Sequence, residues 1–275
     1  MQIMHTIILH SQALGLANKM ADVCGVAFEF RRSHFRFLTD KEIDIVALRE
    51  VFSVDINYLP DFDFSQTALF VSDMDSTLIT IECIDEIADF AGIKPQVAAI
   101  TERAMQGELD FNASLIERVA LLQGLEVSVL SRVYEQRLKV SDGGRALIAF
   151  LRSRGVKTAV VSGGFGYFTR RLAGDIGLDH DRANTLAIEQ GKLTGKVEGG
   201  IINATAKAEF ITELCAKYQT TPSQTIAIGD GANDLEMMAV AGLSVAYHAK
   251  PAVIKFANVV ISYSGLDIIM DFFDG

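Results

Sequence analysis

The sequence predicts an α/β fold: a doubly wound parallel sheet with a helical insert, preceded by a small ferredoxin-like βαββαβ domain. Beyond residue 138, short apolar runs alternate with helical segments, which is typical of a parallel sheet covered by helices on both faces. Before residue 60, strand-like and helical runs follow the order of the split βαβ pattern. The 275 residues, 49% of them hydrophobic, also exceed the size of one ordinary domain.

The first predicted domain covers residues 1–62. Apolar or alternating patterns predict its strands at 3–10, 26–31, 35–38 and 54–58. Helical spacing predicts one helix over 11–23, with Ser11 as its N-cap, and a second that starts after Thr39 or Asp40 and ends at Val51. Pro60 and the polar residues that follow it predict a linker.

The second predicted domain is the sheet, at 66–82 and 139–275, interrupted by a helical insert at 83–138. The insert is expected to hold four helices, separated by breaks at Gly92, Gly107 and Gly124. Strands of the sheet are predicted at 68–72, 158–162, 225–229, 244–247 and 259–262. Helices between them are predicted near 146–154, 167–176, 207–217 and 235–241.

Charge and cysteine content narrow the class of protein. The chain has 25 Lys and Arg against 35 Asp and Glu, a net charge of −10, which argues against nucleic acid or an anionic membrane as partner. Cys24, Cys83 and Cys215 form no CxxC pair, which fits a reducing cytoplasm. Without a long apolar run or a signal peptide pattern, the sequence predicts a cytoplasmic protein.

Chemically unusual residues follow the predicted strands. They form four segments: 73–78 with Asp73 and Asp75, 162–164 with Ser162 and Gly163, Lys207 at a helix start, and 229–234 with Asp230, Asn233 and Asp234. Ligands of parallel sheets bind at the carboxyl ends of the strands, so these segments should meet. Clustered carboxylates need a cation, and Mg²⁺ prefers oxygen ligands. Serine, glycine amides and lysine suit a phosphate, so we expect a phosphoryl site around Mg²⁺.

The sequence departs from three other ligand-binding motifs. The segment 229–234 begins like a dinucleotide-binding turn, but Asp234 stands where Gly or Ala is required. The segment 73–78 begins like an EF-hand loop, but Leu78 replaces its glycine and Ile84 its last glutamate. A P-loop signature GxxxxGK[ST] is absent from the sequence.

The four segments together resemble motifs I–IV of the haloacid dehalogenase (HAD) superfamily of phosphohydrolases. More narrowly, DMDSTLI, then ECIDE, SGGF and GDGANDLEM, are similar to the phosphoserine phosphatases within that superfamily. The resemblance implies a HAD-like core in which the helical insert is a cap. The N-terminal domain resembles, by topology alone, the ACT modules that bind amino acids. One departure is Ser141-Asp142 before Gly143, where the family usually has a Pro-Gly turn.

The resemblance implies a role for each site residue. Asp73 would be the nucleophile that forms an aspartyl-phosphate, and Asp75 the general acid and base. Mg²⁺ would bind Asp73, the backbone carbonyl of Asp75 and Asp230, with Asp234 bracing these ligands. The phosphate would be held by Ser162, Gly163, Lys207 and Asn233.

The cap residues implied by the resemblance define the substrate. Glu82 would pair with the ammonium of O-phospho-L-serine, Arg118 would bind its carboxylate, and Met105 and Phe111 would close over it. The expected reaction releases L-serine and phosphate, the last step of serine biosynthesis. Two alternatives stay open: a phosphatase or phosphotransferase for another small phosphorylated amino acid, and a non-catalytic amino-acid sensor. The N-terminal domain is expected to mediate packing or dimerisation, or else to bind an amino-acid effector.

Overall fold

A computed structural model of the chain describes residues 4–274 and confirms the predicted fold class. Ile3, the predicted start of the first strand, lies outside the described residues, as do both outer ends of the predicted domains. Among the described residues, no helix is both long enough and apolar enough to cross a membrane. The described strands form a four-stranded and a seven-stranded sheet, which are considered in turn.

The N-terminal domain has the predicted βαββαβ order. Its elements are β1 (His5–Leu9), α1 (Leu14–Cys24), β2 (Phe28–Arg31), β3 (His34–Thr39), α2 (Ile45–Phe52) and β4 (Ile56–Tyr58). The strands pair antiparallel in the order β2-β3-β1-β4. Apolar side chains alternate along them toward the two helices, so that one face of the sheet supplies a separate small core.

Both predicted helix starts in this domain are wrong. The N-cap of α1 is Ala13, and the Ser11 hydroxyl instead accepts the backbone N–H of Ala13 over 3.1 Å. Thr39 still belongs to β3, so neither it nor Asp40 can begin the second helix. That helix is capped by Asp44, whose carboxylate accepts two backbone N–H groups of the first turn.

The sheet domain begins at β5 and contains the helical insert. Its elements up to the end of the insert are β5 (Leu69–Ser72), α3 (Cys83–Phe90), α4 (Lys94–Met105), α5 (Phe111–Ala120) and α6 (Ser128–Gln136). Those that follow are α7 (Gly144–Ser153), β6 (Lys157–Phe165), α8 (Gly166–Ile176), β7 (His180–Glu189), β8 (Lys192–Glu198), α9 (Ala204–Tyr218), β9 (Thr225–Gly229), α10 (Leu235–Val240), β10 (Leu243–Tyr247), α11 (Pro251–Ile254) and β11 (Val259–Ile261). The strand order is β11-β10-β9-β5-β6-β7-β8.

The insert leaves and rejoins the sheet domain at one point, because Ile79 and Val140 form an antiparallel bridge there. Buried apolar residues of α3, α5 and α6 belong to the same core cluster as residues of the sheet. The insert is therefore packed onto the sheet in this conformation. Its limits at residues 83 and 138, like the other domain limits, stay predictions.

The sheet differs from the prediction at one edge. Strand β8 runs antiparallel to β7, and the hairpin turn between them places Gln190 and Gly191 at φ of 50° and 79°. Two residues with positive φ favour such a tight hairpin. The backbone of Leu193 in β8 exchanges 2.8 Å hydrogen bonds with Gly124 and Leu125, so the hairpin also supports the insert.

Buried polar side chains join the N-terminal domain to the sheet domain. The Asp55 carboxylate, fully buried, accepts the backbone N–H groups of Ser262, Tyr263 and Ser264 at 2.7, 3.1 and 2.8 Å. Next to it, the Asn57 amide donates to the carbonyl of Val260 (3.1 Å) and accepts its N–H (2.9 Å). The Asn57 amide thus pairs with the outer edge of β11 as a neighbouring strand would.

A second contact between these domains is centred on Asp271. Its carboxylate accepts hydrogen bonds from His10 (2.8 Å) and Ser33 (2.5 Å), and His34 lies 3.3 Å away. Burial alone would raise the pKa of Asp271, but these hydrogen bonds outweigh burial and lower it below the usual range. Asp271 is therefore held as a carboxylate inside the interface.

Candidate active site

The carboxyl ends of β5, β6 and β9 meet beneath the insert and form the floor of a cavity of about 320 Å³. The sheet domain contributes acidic, serine and glycine residues to it, and α3, α4 and α5 contribute the opposite wall. The cavity is lined by Asp75, Glu82, Ile84, Asp85, Thr101, Phe111, Leu115, Arg118, Ser162, Gly163, Gly164, Phe165, Asp230, Asn233 and Lys250. Three of the four predicted segments therefore reach one cavity.

The fourth predicted segment, Lys207, lies directly behind the cavity floor. It is 1% exposed in the first turn of α9, and its ammonium lies 2.8 Å from Asp73 Oδ1 and 2.7 Å from Asp234 Oδ1. Burial alone would lower the pKa of Lys207, but the Asp234 and Asp73 carboxylates raise it. Lys207 is therefore held as a cation beside Asp73.

Asp73 directly follows β5, and its carboxylate also accepts the backbone N–H of Met74 over 2.7 Å. Burial and the Asp234 carboxylate raise the pKa of Asp73, while the ammonium of Lys207 acts in the opposite direction. The hydroxyl of Ser72 donates to the Asp73 carbonyl over 2.6 Å, which fixes the backbone at this strand end. Asp73 is thus a buried carboxylate held in a single orientation.

Asp75 lies in the wide turn that follows Asp73 and faces the cavity. Its Oδ1 accepts the backbone N–H of Cys83 over 3.3 Å, and its Oδ2 approaches Gly164 so closely that a Cβ there would lie 2.6 Å away. Burial and the neighbouring Glu82 carboxylate raise the pKa of Asp75 to about 7. A carboxyl group with that pKa can both give and take a proton near neutrality.

Three carboxylates could hold a metal ion, because one oxygen each of Asp73, Asp230 and Asp234 lies within 4.8 Å of the others. Lys207 offsets only part of their negative charge, and burial with the Asp234 carboxylate raises the pKa of Asp230 to about 6. A divalent cation would compensate the remaining charge, and its preference for oxygen ligands fits this set.

Asp234 differs from the other two carboxylates because both of its oxygens already have partners. Oδ1 bonds Lys207, and Oδ2 accepts the backbone N–H groups of Asp230 (3.2 Å) and Gly231 (3.1 Å). These contacts suit a residue that orients its neighbours better than one that binds a metal directly.

Residues 162–164 lie within β6 where its register with β7 shifts, and this irregular segment, which we call the 162–164 turn, can bind an oxyanion. The Gly164 N–H donates to the Ser162 hydroxyl oxygen over 2.8 Å. A Cβ at residue 163 would lie 2.6 Å from the ring of Phe111 in the insert, so any larger residue there would have to displace that ring. The turn therefore lies directly under the insert, and Asn233 lines the same cavity from the 229–234 segment.

The wall formed by the insert carries both predicted charge partners for the substrate. The Glu82 carboxylate accepts a 2.6 Å hydrogen bond from Ser76, and Arg118 Nε donates to the Ser114 carbonyl over 3.2 Å. Burial lowers the pKa of Arg118, while the Asp85 and Glu82 carboxylates oppose that effect. Glu82 and Arg118 thus place opposite charges in one cavity.

Four predicted site residues do not line the cavity: Asp73, Lys207 and Asp234 are buried next to it, and Met105 lies outside it at the surface. Its side chain is 74% exposed at the end of α4, whereas Thr101, four residues earlier, lines the cavity. Four residues correspond to about 6 Å along a helix. A substrate role for Met105 stays a prediction, and in this conformation Met105 lies in solvent.

Several residues at the site escaped the sequence analysis, among them Lys250 and Thr77. Lys250 follows the end of β10, lines the cavity, and donates its backbone N–H to the Asp230 carbonyl over 3.0 Å. Thr77 donates its hydroxyl to Asp230 Oδ1 over 3.3 Å. The rule that strand ends carry the site could have indicated Lys250, since β10 was itself predicted.

The fold and the acidic site agree with comparisons to known proteins. Residues 67–242 match the family of haloacid dehalogenase-like hydrolases. The chain therefore belongs to the haloacid dehalogenase-like hydrolases.

The individual relatives are more specific. A phosphoserine phosphatase of Albidiferax ferrireducens is 48% identical over 221 residues, covering 78% of this chain and 93% of the relative. The crystal structure of a HAD family hydrolase from Salmonella enterica serovar Typhi superposes with a TM-score of 0.89 at 30% identity, covering 99% of both chains. A substrate-bound phosphoserine phosphatase complex is 38% identical with a TM-score of 0.70, covering 75% of this chain and 98% of the other.

Proposed function

We propose that this chain is a phosphoserine phosphatase, which hydrolyses O-phospho-L-serine to L-serine and phosphate. The observation that carries the proposal is the pair Glu82 and Arg118, opposite charges on the wall that faces Asp75 and Ser162. O-phospho-L-serine carries an ammonium, a carboxylate and a phosphate group. The cavity offers Glu82 to the ammonium, Arg118 to the carboxylate, and Ser162 and Gly163 to the phosphate. The phosphoserine phosphatases among the relatives support this substrate.

Asp73 is proposed to attack phosphorus with a carboxylate oxygen. The new O–P bond forms as the bond from phosphorus to the serine oxygen breaks, leaving an aspartyl-phosphate. Lys207, 2.8 Å from Asp73, stabilises the attacking carboxylate and the negative charge on the transferring oxygens. Ser162 and Gly163 donate hydrogen bonds to those oxygens, and Asn233 helps to place the phosphate.

Asp75 is proposed to move the proton in both halves of the reaction. It gives a proton to the departing serine oxygen, and it then takes one from the water that hydrolyses the aspartyl-phosphate. Its pKa of about 7 suits both roles, because burial and Glu82 keep a proton available near neutrality. Its hydrogen bond from the Cys83 N–H holds the carboxyl group toward the cavity.

Mg²⁺ is the proposed cofactor, with Asp73, Asp230 and the Asp75 backbone carbonyl as its ligands and Asp234 bracing them. When bound, it supplies positive charge that offsets the carboxylates and the phosphate oxygens. This oxygen-rich ligand set favours Mg²⁺ over softer metals. The Lys207 ammonium bridges the carboxylates of Asp73 and Asp234 and thereby holds the two groups at a fixed separation.

The insert is proposed to act as a cap that selects the substrate. Arg118 binds the serine carboxylate with paired N–H groups, and Glu82 binds the ammonium. Phe111 already contacts the turn at Gly163, and it would exclude water from the phosphate. Met105 would reach the substrate only after α4 moved toward the sheet.

The cellular setting is proposed from the same activity. We place the enzyme in the cytoplasm, at the last step of serine biosynthesis. The N-terminal domain is proposed to serve packing or dimerisation, with an amino-acid effector as the alternative. Its buried contacts through Asp55, Asn57 and Asp271 support the packing role.

The test of the proposed function is phosphate release from three substrates, with Mg²⁺ and with a chelator. We expect rapid release from O-phospho-L-serine with Mg²⁺, slower release from phosphothreonine, and slower still from an aryl phosphate. Equal rates on all three would contradict selection by the cap. A preference for another phosphorylated amino acid would replace the substrate and leave the site assignment intact.

Arg118→Ala tests the cap more directly. It should raise KM for phosphoserine by about tenfold or more, since hydrogen bonds to charged groups contribute about 1.5–3 kcal/mol. KM for the aryl phosphate, which has no carboxylate, should change little. Arg103→Ala is the matched control, because Arg103 is also on the insert but pairs with Glu108 and Glu117 at the surface.

A further inference from the structure

Asn184 is a buried side chain that connects two parts of the phosphate site without reaching the cavity. It lies on β7 and is 1% exposed. Its amide nitrogen donates to the Gly163 carbonyl over 2.7 Å, and its amide oxygen accepts the Ile202 N–H over 2.8 Å. One contact is within the turn 162–164, and the other is in the segment that leads to Lys207.

The hydrogen bond to Gly163 determines how the turn presents its donors. The Gly163 carbonyl and the Gly164 N–H belong to one planar trans peptide and point in opposite directions. Asn184 holds the carbonyl end, and the Ser162 hydroxyl oxygen holds the N–H end over 2.8 Å. Because Ser162 accepts this N–H, its own single proton is free for another acceptor. That acceptor is a phosphate oxygen in the proposed reaction.

Glycine on both sides makes this peptide easy to turn over, since neither residue has a Cβ to restrict it. A reversed peptide would aim the Gly163 carbonyl, the negative end of the peptide dipole, at the oxygen of Ser162, a residue that lines the cavity proposed to bind an anion. It would also remove the partner that keeps the Ser162 oxygen occupied. The contact from Asn184 opposes this reversal.

The second contact fixes the turn relative to Lys207. Ile202 precedes Asn203, whose side chain caps α9 by accepting the Ala206 N–H over 3.1 Å. Lys207 follows in the first turn of that helix. The Asn184 amide therefore sets the spacing between the serine donor and the lysine cation.

We propose that Asn184 is a positioning residue, which orients the Ser162 hydroxyl and the 163–164 peptide toward the transferring phosphoryl group and aligns them with Lys207. This inference rests on the proposed function only for the presence of a phosphoryl group at the site. Because Asn184 is proposed to act through Ser162, the effect of replacing Asn184 on kcat should depend on whether Ser162 is present.

The experiment is a double-mutant cycle on the full chain with Asn184→Ala, Ser162→Ala and both together. Asn184→Ala should lower kcat by about tenfold to a hundredfold with a smaller change in KM, because the donors it orients act most in the transition state. In the Ser162→Ala background the same substitution should lower kcat by only about twofold. Orthovanadate mimics the transferring phosphoryl group. Its Kd for Asn184→Ala should rise by about the same factor by which kcat falls.

Asn57→Ala is the matched control, because the Asn57 amide also joins a carbonyl and an N–H in a buried place, on Val260 and far from the cavity. It should lose thermal stability as Asn184→Ala does, and keep kcat within about twofold. Equal kcat in the two variants would overturn the inference. So would an equal loss of kcat with and without Ser162.

Two further measurements keep the result decisive. If Asn184→Ala does not fold, Asn184→Asp replaces it in the double-mutant cycle. At alkaline pH the aspartate side chain is ionised, so it cannot donate to the Gly163 carbonyl but can still accept the Ile202 N–H. Each variant is assayed with both phosphoserine and an aryl phosphate. If the wild-type chain hydrolysed the aryl phosphate but not phosphoserine, the proposed substrate would be wrong. The double-mutant cycle measured with the aryl phosphate would still decide the role of Asn184.

Discussion

Replacing Asp55 by alanine should loosen the junction between the N-terminal domain and the sheet domain. The Asp55 side chain is fully buried and accepts three backbone N–H groups, at 2.7, 3.1 and 2.8 Å. Hydrogen bonds to a charged group contribute about 1.5–3 kcal/mol each, but water entering the vacated space would satisfy part of the loss. We therefore expect a loss of about 3–5 kcal/mol, since each buried N–H group left without an acceptor costs about 1–3 kcal/mol before water enters.

Differential scanning calorimetry measures this effect. For a chain of this size each kcal/mol lowers Tm by about 2–4 °C, so Asp55→Ala should lower it by about 6–20 °C. Because the contacts lie between domains, we also expect the single transition to broaden or divide as the N-terminal domain unfolds first.

Asp44→Ala is the control for this prediction. Asp44 lies in the same domain and also accepts two backbone N–H groups, but it is exposed at the N-terminus of α2. Its replacement should cost about 1 kcal/mol, as for other helix caps. If Asp55→Ala cost no more than Asp44→Ala, Asp55 would not be what holds the segment 262–264.

Three further predictions concern the site and the interface. Asp73→Asn should abolish phosphate release while leaving the circular dichroism spectrum unchanged; retained turnover would refute its role as nucleophile. Gly163→Ala should lower kcat/KM by at least about tenfold, since its Cβ would lie 2.6 Å from Phe111; unchanged kinetics would refute that contact. The pKa of Asp271 is lowered in the folded chain, so its stabilisation is present above its unfolded pKa of about 3.9 and is lost as the pH falls through the folded value. Urea unfolding should therefore lose stability in acid more steeply for the wild type than for Asp271→Asn, and parallel curves would refute this.

The sequence was sufficient to predict five strands of the large sheet and the helices of the insert, because short apolar runs mark the strands and glycines separate the helices. It was not sufficient to predict the hairpin of β7 and β8. That edge is only partly buried, so its apolar residues alternate weakly, and the turn at Gln190 and Gly191 was the remaining signal. Helix starts were also misplaced where a strand ran on to Thr39 and left Asp44 as the cap.

Some residues of the candidate site could likewise be predicted from the sequence, and others could not. Asp73, Asp75 and Asp230 come just after strands and Ser162 lies near the end of one, so the rule for parallel sheets was enough to bring them together. Asn184, by contrast, is one polar residue within a strand, and only the position of the neighbouring turn gives its amide a partner. Sequence patterns record local order, whereas a contact across two strands depends on packing.

The pairing of Asn57 with β11 has a consequence for shortened forms of the chain. β11 is the last strand of the seven-stranded sheet, and Asn57 occupies the outward N–H and carbonyl of Val260. A fragment covering 61–275 would leave that edge open, and open strand edges promote association between copies of a chain. Loss of the N-terminal domain should therefore promote self-association of the sheet domain through β11.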